Sequence, residues 1–220
     1  MTGPDMNAPL NPPVRSAASP TRGFLFADLR EYTRYVEEHG AADAASLLVR
    51  YRTLVRGAVA AHDGAEIKTE GDSFYVVFPA VSQAVLCGLD IVDAAATGAS
   101  DADERPIPVG IGIHAGETVD TPDGFVGTPV NIAARLCALA RSGEVLVSDT
   151  VRALTQTVLP VSFDPRGRRT LKGVGEPVAV YAVARSAAAW APQRRRATRR
   201  RRLALGGLVA AVVIVGGTGA

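Results

Sequence analysis

The run FLFAD, Phe24 to Asp28, is four apolar residues closed by a carboxylate. A short continuous apolar run suits a central strand buried on both faces. A carboxylate at the end of such a strand is costly unless a cationic group meets it. Further on, AEIKT and DSFYVVF are two β-rich runs separated by Glu70-Gly71, which predicts a hairpin with Asp72 at its turn. Asp28 and Asp72 are therefore expected at neighbouring strand ends.

Between them, Glu31 to His39 and Ala41 to His62 carry apolar residues at helical spacing, with Gly40 as a break. Downstream, Val81 to Ala95 reads as a helix and Thr97 to Arg105 as a polar loop. IPVGIGIHAGETVD reads as a strand pair bending at Ala115-Gly116, and Val130 to Ala140 as a helix. EVLVS is a strand, and Phe163 to Val183 holds a hairpin closed near LKGVGEP. The expected class is α+β: a ferredoxin-like βαββαβ sheet with helices on one face, followed by extra C-terminal strands.

Composition fits one domain plus appendages. At 220 residues and 47% hydrophobic content the chain can bury a substantial core. Residues 1–20 read as disordered and 21–185 as the domain. Cys87 and Cys137 have no CxxC spacing and read as reduced core thiols. Seven arginines crowd Arg194 to Arg202, and without them acidic residues outnumber basic ones. A basic nucleic-acid footprint on the globular part is thereby excluded.

The uncharged run LALGGLVAAVVIVGGTGA, residues 203–220, follows those arginines. As a helix it would span ~27 Å, just short of a ~30 Å hydrocarbon core. Residues 186–202 then read as a juxtamembrane linker drawn to anionic membrane lipid, and 203–220 as an apolar C-terminal transmembrane helix anchoring a cytoplasmic domain. The alternative is a non-spanning Gly/Ala tail, because GGTGA is a poor helix former. The first residues have no apolar core of signal-peptide length, so the domain is expected in the cytoplasm.

Two carboxylates converging on one sheet edge can bridge one or two Mg²⁺ or Mn²⁺, which also bind phosphate oxygens. Taken alone, Asp28 could be a helix cap and Asp72 an ordinary turn residue. Asn131 and Arg135 share one helix face by their i, i+4 spacing. Alone, Arg135 reads as a solvated helix charge, but a buried polar stripe inside VNIAARL would need a reason. Lys68 alone reads as a strand charge facing water. The amides at the helix start, near Tyr32 and Thr33, suit phosphate oxygens. His114 has no partner histidine or cysteine and reads as structural.

Taken together, FADLREYT, IKTEGDSFYVVF and VGTPVNIAARL resemble, in order and separation, the class III adenylyl and guanylyl cyclases. The resemblance runs from about Arg22 to Val183, and LKGVGEPVAVYAV looks like the family's closing strands. It implies that Asp28 and Asp72 hold two Mg²⁺ or Mn²⁺ ions, that Asn131 orients the ribose and Arg135 meets the α-phosphate, and that Lys68 recognises the purine edge. It also implies a homodimer whose sites take the aspartates from one chain and Lys68, Asn131 and Arg135 from the other. The implied reaction is conversion of ATP to 3′,5′-cyclic AMP and pyrophosphate in intracellular signalling.

Two positions depart from the family pattern. The second base-selecting position, seven before the asparagine, is Gly124, with Asp123 beside it as a substitute, so GTP stays open as a substrate. Glu31 replaces a frequent glycine and adds a carboxylate near the triphosphate. These departures motivate a rival reading, a degenerate cyclase-like nucleotide-binding or dimerisation module. An RNA-binding ferredoxin-like domain is a weaker rival, lacking aromatic residues suited to stacking on its strands.

Overall fold

The computed structural model describes residues 19–97, 105–122 and 124–186. The Arg-rich run, the apolar run 203–220, the segment 1–18 and most of the expected 97–105 loop lie outside the described residues, as does Asp123. No helix among the described residues is long and apolar enough to cross a membrane.

The chain begins with β1 (Arg22–Leu29), α1 (Tyr32–Ala61), β2 (Ala65–Glu70), β3 (Ser73–Phe78), α2 (Val81–Thr97) and β4 (Val109–Gly116). Within the first helix Gly40 adopts φ 83°, ψ 167°, so two helical pieces meet at the break its glycine predicts. The strands lie in the order β2-β3-β1-β4, which is the ferredoxin-like core. Then come β5 (Val119–Thr121), β6 (Gly124–Val126), α3 (Thr128–Leu139), β7 (Glu144–Ser148), α4 (Asp149–Thr155), β8 (Val161–Arg169) and β9 (Val178–Arg185). The last three of these strands extend the sheet beyond β4 to seven strands, β7 pairing parallel with β4.

Residues 107–120 do not form the expected strand pair. β4 is already bonded to β1 on one edge and β7 on the other, so no edge is free for the segment that follows. β5 pairs with β6 instead, as a separate two-stranded ribbon. Arg22 ties that ribbon to the start of β1, reaching Asp120 at 3.0 and 3.2 Å and lying 4.6 Å over the Phe125 ring.

The two helices of the βαββαβ unit, α1 and α2, share one face as expected, and the later helix α3 lies on the other. Leu25, Ala27, Ile111 and Ile113 pack with Leu47, Tyr51, Val55 and Val85 in the core beneath α1 and α2. Phe24 packs with Ala133 of α3 on the other side, and Ile132 and Leu136 of α3 meet Leu146, Leu171 and Val180. Strand alternation explains the split, because Val109, Ile111 and Ile113 fill one face while Gly110 and Gly112 leave the other bare. A Cβ on Gly112 would fall 1.9 Å from the backbone nitrogen of Cys137, so α3 lies directly on the strand. Both cysteines are buried and unbridged, and burial pushes each thiol up to about 12.

Candidate active site

Asp28 shares strand parity with Phe24 and Phe26, so its side chain belongs to the α3 face. Ala27 pairs with Phe74, which sets Asp28 beside the β2–β3 turn that holds Asp72. The two carboxylates sense each other: burial raises the Asp28 pKa most, Asp72 raises it further, and Arg30 opposes both. Arg30 Nη1 stands 3.5 Å from Asp28 Oδ2. The turn itself is held by Arg52, whose Nη2 donates to Gly71 O at 2.6 Å.

This pair fits a hard divalent cation. It is a concentration of negative charge at a half-buried strand end, with the Arg30 guanidinium 3.5 Å from one carboxylate as a partial offset. Among the described residues no group of three or more His, Cys, Asp or Glu is arranged to hold a metal. The pair alone therefore supplies only part of a shell, leaving positions for water and phosphate oxygens, as Mg²⁺ prefers. Below it the fully buried Tyr51 hydroxyl has no hydrogen-bond partner. Burial first, then Cys137, Asp28 and Asp72, hold its ionisation well above the usual range.

The first helix opens at Tyr32 with Glu31 as its cap residue, and no side chain caps the first turn. Glu31 has φ 57°, a left-handed conformation that costs a non-glycine residue ~1 kcal/mol. Its exposed carboxylate pairs with Arg34 at 3.7 Å. Thr33 is exposed and Tyr32 half-buried, the Tyr32 hydroxyl donating to Ala44 O at 3.5 Å.

Lys68 pairs with Tyr75 across the hairpin, and its Nζ rests 2.5 Å from Glu70 Oε1. It lines an open groove of about 830 Å³ together with Ile67, Asp120, Thr121, Gly124 and Phe125. Lys68 and Gly124, 56 positions apart in sequence, thus face the same space. Gly124 has φ 120°, and a Cβ there would fall 2.6 Å from Ile67 Cγ2, so a side chain at this position would strain the backbone and displace Ile67. Thr121 Oγ1 donates to Gly124 O at 2.9 Å.

Asn131 and Arg135 do lie on one face of α3, but that face is exposed. The expectation of a buried polar stripe is corrected: the apolar residues of VNIAARL turn to the sheet, and the polar pair turns away. Arg135 has no hydrogen-bond or ion-pair partner among the described residues. His114 is buried, with Nδ1 2.6 Å from Ser148 Oγ, and burial lowers its pKa to about 4. It is a neutral core residue.

Residues 14–184 match the family model for the adenylate and guanylate cyclase catalytic domain. The chain belongs to that family. Among solved structures, the cyclase domain is similar to an adenylate/guanylate cyclase/hydrolase from Silicibacter pomeroyi, 29% identical, TM-score 0.67, covering 74% of this chain and 95% of that one. The adenylyl cyclase CyaB from P. aeruginosa, 24% identical, shares the fold with TM-score 0.63 over 76% of this chain and 94% of its own. A Rhizobium meliloti protein provisionally named adenylate cyclase 3 is 28% identical over 77% of this chain. The chain spans only 28% of that relative's length.

Two features of this cyclase domain escape sequence reasoning. The Tyr51 hydroxyl is hidden in a helix pattern that predicts only core. Arg30 lies inside the FADLREYT motif, two residues past Asp28, and the strand period of two was the signal that it shares the carboxylate's face.

Proposed function

We propose that this cyclase domain converts ATP to 3′,5′-cyclic AMP and pyrophosphate at two equivalent sites formed between two copies of the chain. The observation that carries the reading is the state of α3, whose Asn131 and Arg135 stand exposed while the Arg135 guanidinium has no partner among the described residues. A helix face of that kind fits groups whose partners arrive with a nucleotide and a second subunit.

In the reaction the ribose 3′-oxygen bonds to the α-phosphorus, the bond from that phosphorus to the bridging oxygen breaks, and pyrophosphate leaves with the electron pair while the hydroxyl proton passes to solvent. Two divalent cations held by Asp28 and Asp72 would supply charge neutralisation of the triphosphate and lower the pKa of the hydroxyl. Arg135 offers a planar fork of donors to the α-phosphate, where charge builds during attack. Asn131, one turn earlier, is placed to hold the ribose. The uncapped amides at Tyr32 and Thr33 suit the distal phosphates.

Lys68 favours ATP, donating to the purine edge from the groove it shares with Gly124. The glycine contributes no side chain to that choice, so GTP is the alternative substrate. Full-length protein with Mn²⁺ and either ATP or GTP, assayed for cyclic nucleotide, tests both levels. Cyclic AMP as the main product supports the proposal, cyclic GMP as the main product moves the substrate to GTP, and no product from either removes the enzymatic reading. Membrane anchorage through 203–220 is tested by fractionation of the full chain.

A further inference from the structure

Arg30 stands between the two halves of the site within one chain. Its Nη1 lies 3.5 Å from Asp28 Oδ2. Its Nη2 donates to the Cys137 carbonyl at 2.7 Å and reaches the Cys137 sulfur at 3.3 Å. Its backbone N–H donates to Pro108 O at 2.6 Å. The guanidinium lies against Gly110, where a Cβ would fall 2.2 Å from Arg30 Nε. That Nε is buried and has no acceptor.

Cys137 is in the last turn of α3, where its carbonyl accepts from the Ala140 N–H at 3.0 Å and keeps a second lone pair for Arg30. A guanidinium there also meets the negative end of the helix dipole. Arg30 therefore has two negative neighbours, a helix end at full hydrogen-bond distance and a carboxylate just beyond it. The geometry points to Arg30 as a positioning residue that links Asp28 to the C-terminal turn of α3 and shifts wholly onto α3 when a divalent cation occupies Asp28.

This rests on the metal-dependent reading given above. A cation at Asp28 repels a guanidinium only 3.5 Å from the same carboxylate, and the Cys137 carbonyl is the partner that remains. In a head-to-tail pair, Asp28 and α3 of one chain serve different sites. Occupancy of one site then bears on the Arg135 of the other.

The test uses full-length protein and Mn²⁺ alone, without nucleotide. Mn²⁺ binding is measured by electron paramagnetic resonance, and amide hydrogen exchange is followed over residues 137–141, in wild type, Arg30→Met, Arg30→Lys and Asp28→Asn. Removing the opposing charge in Arg30→Met should tighten Mn²⁺ binding about threefold or more, with Arg30→Lys close to wild type. Mn²⁺ should change exchange over 137–141 in wild type and leave it unchanged in Arg30→Met. Binding in Arg30→Met equal to or weaker than wild type, with Asp28→Asn defective, overturns the inference and leaves the metal reading standing. Absence of binding by wild type removes both.

Discussion

Asp28 meets Arg30 at 3.5 Å, is partly withdrawn from solvent and senses Asp72 across the strand ends, whereas Arg135 stands exposed with no partner among the described residues. The first region carries electrostatic tension that its own chain only partly relieves. The second carries none, because water solvates an exposed guanidinium fully. On the function proposed above, the Asp28 and Asp72 pair would hold cations from a half-buried setting that the chain's own core supplies. On the same proposal, Arg135 would meet the transition state, and a group in that role stays unpaired until substrate arrives.

The largest effect should come from separating the two regions. Asp28→Ala and Arg135→Ala should each lower turnover ~100-fold or more, and mixing the two inactive proteins should restore part of the activity, because one of the two shared sites is then intact. Confirmed mixed dimers without recovery would place both regions in a single-chain site.

Next in size is the support beneath α3. Gly112→Ala drives a methyl into the Cys137 backbone and should destabilise the fold by roughly 3 kcal/mol, the upper range for overpacking, as read by urea unfolding. Activity should fall with it, since α3 carries Asn131 and Arg135.

The difference in tension predicts opposite stability responses. Asp28→Asn should stabilise the metal-free protein on the order of 1 kcal/mol at neutral pH, while Arg135→Ala should change stability by less than about 0.5 kcal/mol. The pH dependence has a defined sign. Asp28 has a folded pKa above its ordinary 3.8, so its contribution is fully present below that value and is lost as pH rises through the folded pKa. The advantage of Asp28→Asn should therefore be absent in acid and grow toward neutrality. An advantage that is largest in acid would contradict the assignment.

The smallest effect belongs to the helix start beside the carboxylates. Glu31→Gly should stabilise by ~1 kcal/mol or less by relieving the left-handed backbone, measured by thermal unfolding. It should also lower KM for nucleotide by removing a negative charge from the triphosphate's surroundings.

Much of this was legible in the chain itself. FLFAD and DSFYVVF each place a carboxylate at the boundary of a hydrophobic strand, and local pattern suffices to set Asp28 and Asp72 side by side once hairpin and strand pair. The i, i+4 spacing of Asn131 and Arg135 likewise puts them on one helix face without tertiary information. The ribbon formed by β5 and β6 was not legible, because which edges of β4 remain free depends on strands far away in sequence. Nor was the crowding at Gly124, where Ile67 approaches from across the groove.

The sequence by itself determined the βαββαβ order, the strand-end carboxylates and the polar face of α3, since each follows from a local period or a turn residue. Only the tertiary structure decided that α3 crosses to the opposite side of the sheet, where the bare glycines of β4 admit its backbone. The same packing joined Asp28 to Cys137 through Arg30 and left Arg135 facing outward. Burial, charge coupling and exposure depend on what packs against a residue, and no local pattern contains that.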